Sequence, residues 1–371
     1  MSDPEASPSD RYSLAALLRP PALARLALIG AVAVAGAGAF AWAGGLLSPG
    51  RLTQSVIIDT FEAGDGPHPG FRRNHAKGLC MTGWFDGSGA ASAYSRASVF
   101  ARGRTPVTGR FALAGGMPRV PDSPGAVRSL ALDFALADGE HWRTGMVDIP
   151  VFPVKDPQGF RDQLVATRPL PATGQPDPAA LKAFVTAHPE AIKAIGMIKA
   201  QTFSSGFADA RYNALNAFFL VGPGGRRTPV RWSMVPVDPF APEPVTAPAG
   251  DNYLFEALAA RLRRGPAQWR LELTLGEPGD PTSDASQTWP PDRPKVDAGL
   301  LTVTSVEPET AGNCRDINYD PLVLPQGIAP SADPLLSARS AAYSVSFTRR
   351  AGEPKSPSAV QLSARPAQEA R

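Results

Sequence analysis

The sequence predicts an α+β protein: an eight-stranded antiparallel β-barrel with helical insertions, preceded by one N-terminal transmembrane helix. Three observations lead there. Residues 26–47 form an apolar run with no charged side chain. Later segments alternate apolar and polar residues with the two-residue period of strands. Between them, Asp-Pro pairs mark points where helices begin.

The apolar run comes first. Its 22 residues, rich in Ala, Leu, Val and Gly, would span about 30 Å as a helix, the thickness of one bilayer core. Arg11, Arg19 and Arg25 precede it, and Arg51 alone follows closely. That asymmetry puts residues 1–25 in the cytoplasm as a tail and the rest across the membrane. A cleavable signal peptide is the rival, because Ala41-Trp42-Ala43 resembles a processing site, but the run exceeds the usual ~7–15 apolar residues. A retained anchor is the favoured reading, with a buried core helix as the bland alternative.

Residues 52–62 place Leu52, Val56 and Phe61 at helical spacing, while their β-branched run keeps a strand open. Residues 129–136 alternate strictly, with Leu130, Leu132, Phe134 and Leu136 on one face. Asp138-Gly139 then signals a hairpin into a strand near 140–147. A second hairpin joins 213–221 to 228–235 through Gly222-Pro223-Gly224-Gly225. Trp269, Leu271, Leu273 and Leu275 alternate again. With segments near 79–86, 107–114 and 299–306 the count is eight, which suits a closed antiparallel barrel. Helices are expected from Asp156-Pro157 to about Ala166, at 179–185 after Asp177-Pro178, at 251–263 before Gly265, and from about Asp333 to Tyr343. Residues 276–298 read as loop. The domain should therefore cover 52–350 as one unit, and 351–371 should be a polar, frayed tail.

Composition narrows the function. Two Cys exclude a disulfide framework and any Cys-rich zinc or iron–sulfur set, and four His leave little room for a multi-His metal site. A net charge of +3 is too small to imply nucleic acid. No phosphate loop, HExxH or GxSxG occurs. Pro and Gly make up about a fifth of the chain, which fits a loop-rich globular protein rather than low-complexity disorder.

Two segments carry chemistry. One is Arg72-x-x-His75-Ala76-Lys77-Gly78. The other runs Asp320-Pro321, Leu324-Pro325-Gln326-Gly327-Ile328-Ala329-Pro330-Ser331, then Arg339-x-x-x-Tyr343, and ends in Arg349-Arg350. Together, and in this order, they resemble the distal and proximal segments of the monofunctional haem catalase superfamily. Within it the nearest likeness is the short bacterial branch of catalase-related peroxidases, and it covers about residues 52–350.

The resemblance implies a catalase-like barrel that binds haem b and uses peroxide as oxidant. It makes Tyr343 the iron ligand, Arg339 its tuning cation and His75 the distal acid/base. Arg72, Arg110 and Arg350 would hold the haem propionates, and Phe152 and Phe160 would pack the distal side. The chemistry is consistent with those roles. A phenol of pKa ~10 needs a nearby cation to persist as phenolate, and Arg339 lies one helical turn away. A neutral imidazole can take a proton from one peroxide oxygen and return it to the departing one. His68, His141 and His188 have no such context and read as surface or structural residues.

Departures from the family pattern shape the expected activity. The distal Asn position falls on Val147, or on Asp148 with a one-residue slip. The Ser that hydrogen-bonds the distal His falls on Ala112, and Asn74 replaces an apolar neighbour. Peroxide disproportionation should suffer, so a peroxidase using a small organic electron donor ranks above a catalase. Hydrogen peroxide and organic hydroperoxides are both eligible oxidants. The alternatives are a haem-dependent hydroperoxide isomerase or lyase, and a non-enzymatic haem-binding barrel. A homo-oligomer is left open by the resemblance, as is the state of Cys80 and Cys314, either a disulfide or two buried thiols.

Overall fold

The computed structural model describes residues 20–44 and 52–362. Arg11, Arg19, Arg51, the end of the apolar run and residues 363–371 lie outside them. The chain divides into two units, 1–53 and 54–371.

The first unit is helix α1, Pro20–Ala43, with no buried residue. Among the described residues it is the one helix long and apolar enough to cross a membrane by length and composition. It starts six residues before the expected run, because Pro20 and Pro21 suit a first helical turn.

In the second unit every expected strand is present, with two additions. They are β1 Gly78–Gly87, β2 Gly103–Leu113, β3 Arg128–Ala135, β4 His141–Val147, β5 Tyr212–Asn213, β6 Phe218–Val221, β7 Arg227–Pro236, β8 Ala267–Leu275, β9 Lys295–Glu307 and β10 Ile328–Pro330. Antiparallel pairing runs β7-β5-β4-β3-β2-β1-β9-β8 and returns to β7, closing eight strands into a barrel. β6 and β10 extend from β7 as a flap. The single strand expected over 213–221 is thus broken in two. Ala214 leaves the ladder, its N–H donating to the Trp232 carbonyl at 2.9 Å, and β6 resumes outside the closed ring.

Large side chains fill the barrel, as alternation requires. Trp142 stacks on Phe134 at 4.7 Å and meets Trp232 edge-on at 5.1 Å, while Phe111 packs against Trp269 at 5.7 Å. Each fully buried aromatic of this size contributes roughly 1.5–3 kcal/mol.

The helices of this unit are α2 Gln54–Asp65, α3 Pro157–Ala166, α4 Pro178–Ala187, α5 Glu190–Ala200, α6 Tyr253–Arg263 and α7 Pro334–Ala351. Of these, α2, α3 and α7 face β2–β4 across a cavity, while α6 packs against β9. The caps read from sequence at Asp156 and Asp177 are made, accepting from the N–H groups of Gly159 and Ala179, and Asp333 likewise accepts from that of Leu335. Residues 52–62 resolve as helix, and α2 buries Ile57, Ile58 and Phe61. Helix α7 runs eight residues beyond Tyr343, to Ala351. The chain after it does not fray as far as Leu362. Val360 is fully buried and Leu362 packs on the core, and the Glu353 carboxylate pairs with Arg73. Cys80 and Cys314 form a disulfide with a Cα–Cα distance of 5.4 Å, joining β1 to the loop after β9.

Candidate active site

One cavity lies between the outer face of β2–β4 and the helices α2, α3 and α7. His75, Arg72, Arg110, Phe152, Phe160, Arg339, Tyr343 and Arg350, the eight residues singled out by sequence, all line it.

His75 stands on the loop from α2 to β1. It is the only non-glycine among the described residues with positive φ, at 54°. That conformation costs an L-residue roughly 1–2 kcal/mol, so the surroundings must impose it. Asn74 does so locally: its side-chain oxygen accepts from the N–H of His75 at 2.8 Å and of Gly115 at 2.9 Å. From the other side, Arg110 donates to the carbonyls of His75 at 2.6 Å and Ala76 at 3.1 Å. Gly78 leaves room for this arginine, since a Cβ there would lie 2.5 Å from the Arg110 Cζ. Asn74 is therefore more than a departure from pattern: its carboxamide does work that an apolar residue cannot.

The imidazole of His75 is half-buried, and what surface it keeps faces the cavity. Its Nδ1 makes no hydrogen bond of normal geometry. Burial, followed by the charges of Arg110, Arg339 and Arg72, lowers its pKa to about 3, with only the Leu113 carbonyl pulling the other way. His75 is thus neutral and able to accept a proton throughout the ordinary pH range. Because this value lies below the usual ~6.5, acidification should not disable the base until the pH nears 3. The rate of reaction with peroxide is expected to be flat from about pH 5 to 8. Stopped-flow measurements across that range test this, and a loss of rate with an inflection near 6.5 would refute it.

Across the cavity, Arg339 and Tyr343 share one face of α7. The Arg339 Nη2 donates to the Tyr343 hydroxyl at 3.4 Å and to the Gly145 carbonyl at 3.2 Å. Its Nη1 donates to the Asn216 side-chain oxygen. The Asn216 amide in turn donates to Asp333 at 2.8 Å, the same carboxylate that caps α7. Asp333, Asn216, Arg339 and Tyr343 form one continuous chain of hydrogen bonds that fixes the guanidinium beside the phenol. Sequence reading missed Asn216 and gave Asp333 only as the approximate start of the last helix. Neither sits in a motif that signals the contact.

The arginines differ in how they are engaged. Arg110 forms a buried two-point ion pair with Glu309, at 2.8 and 2.9 Å. Burial alone would raise the Glu309 carboxyl. Arg110, with Arg72 and Arg350, outweighs that and holds it below the ordinary range. Arg72 donates to the carbonyls of Cys314, Arg315 and Ile317. Burial, then the neighbouring charges of Arg110 and Arg350, pulls its pKa down to about 9, which still leaves it charged at neutral pH. Arg72 keeps Nε, and Arg350 keeps Nε and Nη2, buried without a partner. Since unpaired buried guanidinium groups are costly, these donors point to an anionic group that belongs in the cavity.

Val147, not Asp148, lines the cavity. Asp148 turns away, accepting from the Arg128 backbone and guanidinium at 2.9 and 3.3 Å, and burial pushes its carboxyl up to about 6. Phe152 and Phe160 pack at 5.2 Å, and Phe160 meets Phe61 of α2 at 5.8 Å. The other histidines are held elsewhere: His68 by the Asp65 carbonyl, His141 by Asp133 and His188 by Asp162.

These residues fit a haem. Tyr343, hydrogen-bonded by Arg339, would ligate its iron, His75 lies across the cavity, and the unpaired donors of Arg72 and Arg350 would take its carboxylates. Fold and site together define a barrel oxidoreductase that acts on peroxide. The Catalase family profile matches residues 56–356. A catalase-related peroxidase of Synechococcus elongatus is 37% identical over 303 residues, covering 81% of this chain and 89% of the relative. Another, of Mycolicibacterium paratuberculosis, is 30% identical over 308 residues, covering 82% and 96%. Among solved structures, catalase A of Saccharomyces cerevisiae matches with a TM-score of 0.68 at 18% identity, over 80% of this chain and 64% of that one. The chain thus spans less than two thirds of that longer catalase. It belongs to the catalase family.

Proposed function

We propose that this protein is a haem b peroxidase that reduces hydrogen peroxide or an organic hydroperoxide with electrons from a small organic donor. The observation that carries this reading is the polarity of the distal side. Among the described residues lining the cavity, His75 is the one imidazole and there is no carboxylate; Val147 lines it too, while Asp148 is turned to Arg128. Disproportionation needs a second peroxide to be held in line by polar groups. Donor oxidation asks less of the distal side, because the second half-reaction delivers only electrons and protons.

The haem, when bound, supplies the redox chemistry that breaks the O–O bond. His75 takes the proton from one peroxide oxygen and returns it to the other, so that water or an alcohol leaves. Two electrons and two protons from the donor complete the reduction. Arg339, fixed by Asn216, would hold the Tyr343 oxygen in place as the iron ligand. Arg72 and Arg350 orient the propionates, Arg110 clamps the backbone of His75, and Phe152 and Phe160 keep water from the distal face.

The domain would work outside the cytoplasm. A buried disulfide suits an oxidising compartment, and the apolar helix α1 suits an anchor or a signal segment.

Recording oxygen release and donor oxidation together on haem-replete protein tests the activity. Donor oxidation is expected to account for most of the peroxide consumed. Oxygen release that dominates with donor present would overturn the proposal in favour of a catalase.

A further inference from the structure

The outer face of the barrel carries a row of side chains that belongs to neither sequence motif. Antiparallel register aligns Ala112 of β2, Ser129 of β3, Val147 of β4 and Asn213 of β5. Cross-strand partners share a face, with roughly 5 Å between neighbouring Cβ atoms. Ser129, Val147 and Asn213 line the cavity. Ser129 therefore stands between Ala112 and Val147, the two positions where sequence reading found a polar group missing.

His75 lies over the same end of β2. Its imidazole faces the Leu113 carbonyl. The Ser129 hydroxyl donates to the carbonyl one residue earlier, that of Ala112, at 3.3 Å. Imidazole and hydroxyl thus stand at consecutive carbonyls of one strand, on one cavity.

Polar capacity along the row is uneven. Ala112 and Val147 have none in their side chains. Asn213 is spent: its amide donates to the Ile149 carbonyl at 3.0 Å, and its oxygen accepts from Arg211 at 3.2 Å and Ser233 at 2.8 Å. Ser129 is not spent. It is 8% exposed, and its bond to Ala112 is long for an O–H donor, which favours about 2.7–2.8 Å. The hydroxyl can turn from that carbonyl at little cost, and a hydroxyl is donor and acceptor at once.

We propose that Ser129 is a second catalytic group of the peroxide reaction, donating a hydrogen bond to the oxygen that departs. As the O–O bond breaks, its electron pair goes to that oxygen, with the two electrons of the reduction drawn from the haem. His75 delivers to it the proton taken from the other oxygen, and water or an alcohol leaves. Ser129 shares its proton without giving it up. This rests on the haem peroxidase reading above. A lone hydroxyl steadies one peroxide and puts no polar group at Val147, so donor oxidation stays favoured over disproportionation.

Full-length holoprotein carrying Ser129→Ala, with Ser129→Thr beside it, tests this by two readouts. The stopped-flow rate with hydrogen peroxide should fall about 3- to 10-fold in Ser129→Ala, the scale of one neutral hydrogen bond. The second readout involves no turnover. Cyanide binds ferric haem end-on through carbon, so its nitrogen stands where the departing oxygen would, and its dissociation constant should rise by a similar factor. Ser129→Thr keeps the hydroxyl and should stay close to wild type in both. Haem content and the melting temperatures of the apo forms check that each variant is intact.

A Ser129→Ala variant with wild-type rate and wild-type cyanide affinity overturns the proposal. So does a slowed reaction with cyanide affinity unchanged, since the hydroxyl then does not reach the outer atom of the ligand. Equal losses in Ser129→Ala and Ser129→Thr, with lowered melting temperatures, would mark a packing residue and overturn it as well. A wild type that takes up no haem, or is inert to peroxide, defeats the functional reading and this inference together. An active wild type indifferent to Ser129 defeats the inference alone.

Discussion

Replacing His75 with Ala should slow the reaction with peroxide by about 10³-fold, within the range set by loss of a general acid/base, while haem content stays near that of wild type. Among the described residues lining the cavity there is no second imidazole and no carboxylate to take the proton. Val147 cannot, and Asp148 is bound to Arg128. Haem retention should survive because the contacts expected to hold haem come from Tyr343, Arg72 and Arg350. Backbone strain at position 75 is shared by Ala and His, and the Asn74 and Arg110 hydrogen bonds that impose it go to the main chain. Stopped-flow spectroscopy on haem-matched samples gives the comparison. A variant that reacts at the wild-type rate would remove His75 from the chemistry.

Tyr343→Phe should have the larger effect on the cofactor itself. The change removes the only oxygen on that face of α7 that Arg339 addresses inside the cavity, and leaves a guanidinium with one acceptor fewer. Arg339 still bonds Asn216 and the Gly145 carbonyl, so the helix should hold its place. Haem content is therefore expected to fall below about a tenth of wild type with little change in apo stability, a free-energy loss of more than ~1.4 kcal/mol in cofactor binding. Haem-to-protein ratio after supplementation measures this, with circular dichroism as the check on folding. Wild-type haem content with wild-type turnover would end the assignment of Tyr343 as ligand.

How much could be read in advance depended on whether the signal was local. Strands β1–β4 and β7–β9 show themselves because inward positions are apolar and outward ones polar, and three helices announce their starts with Asp-Pro. Helix α5 went unread because it begins after Pro189 with no capping side chain and carries Gly196 inside. β10 went unread because three residues have no periodicity. The end of α7, with Ser344, Val345, Ser346 and Thr348, is weak in helix propensity and is held by packing and by Arg349. Within the site, His75, Arg339 and Tyr343 lie in short motifs and were legible. Asn216 reaches Arg339 from 123 residues away, and Glu309 reaches Arg110 across 199. Such partners follow from topology, and no spacing in the chain encodes them. The disulfide is the intermediate case. Two cysteines allowed it, but only closure of the barrel brings Cys80 to Cys314.

The cavity is walled by the earliest and latest helices of its own domain. Ile57, Ile58 and Phe61 come from α2, and Tyr343 and Arg350 from α7. Ion pairs from Arg349 to Asp59 at 2.6 Å and Glu62 at 2.9 Å tie the two together. During synthesis every strand of the closed barrel is made before Pro334 emerges, so the barrel can close around its aromatic core while the haem side still lacks its floor. A cofactor held in this cavity would therefore be captured after the strands of the barrel are made, once α7 is in place. If the domain is exported unfolded to the compartment proposed above, that event would fall on the far side of the membrane, with haem supplied there to a barrel already built.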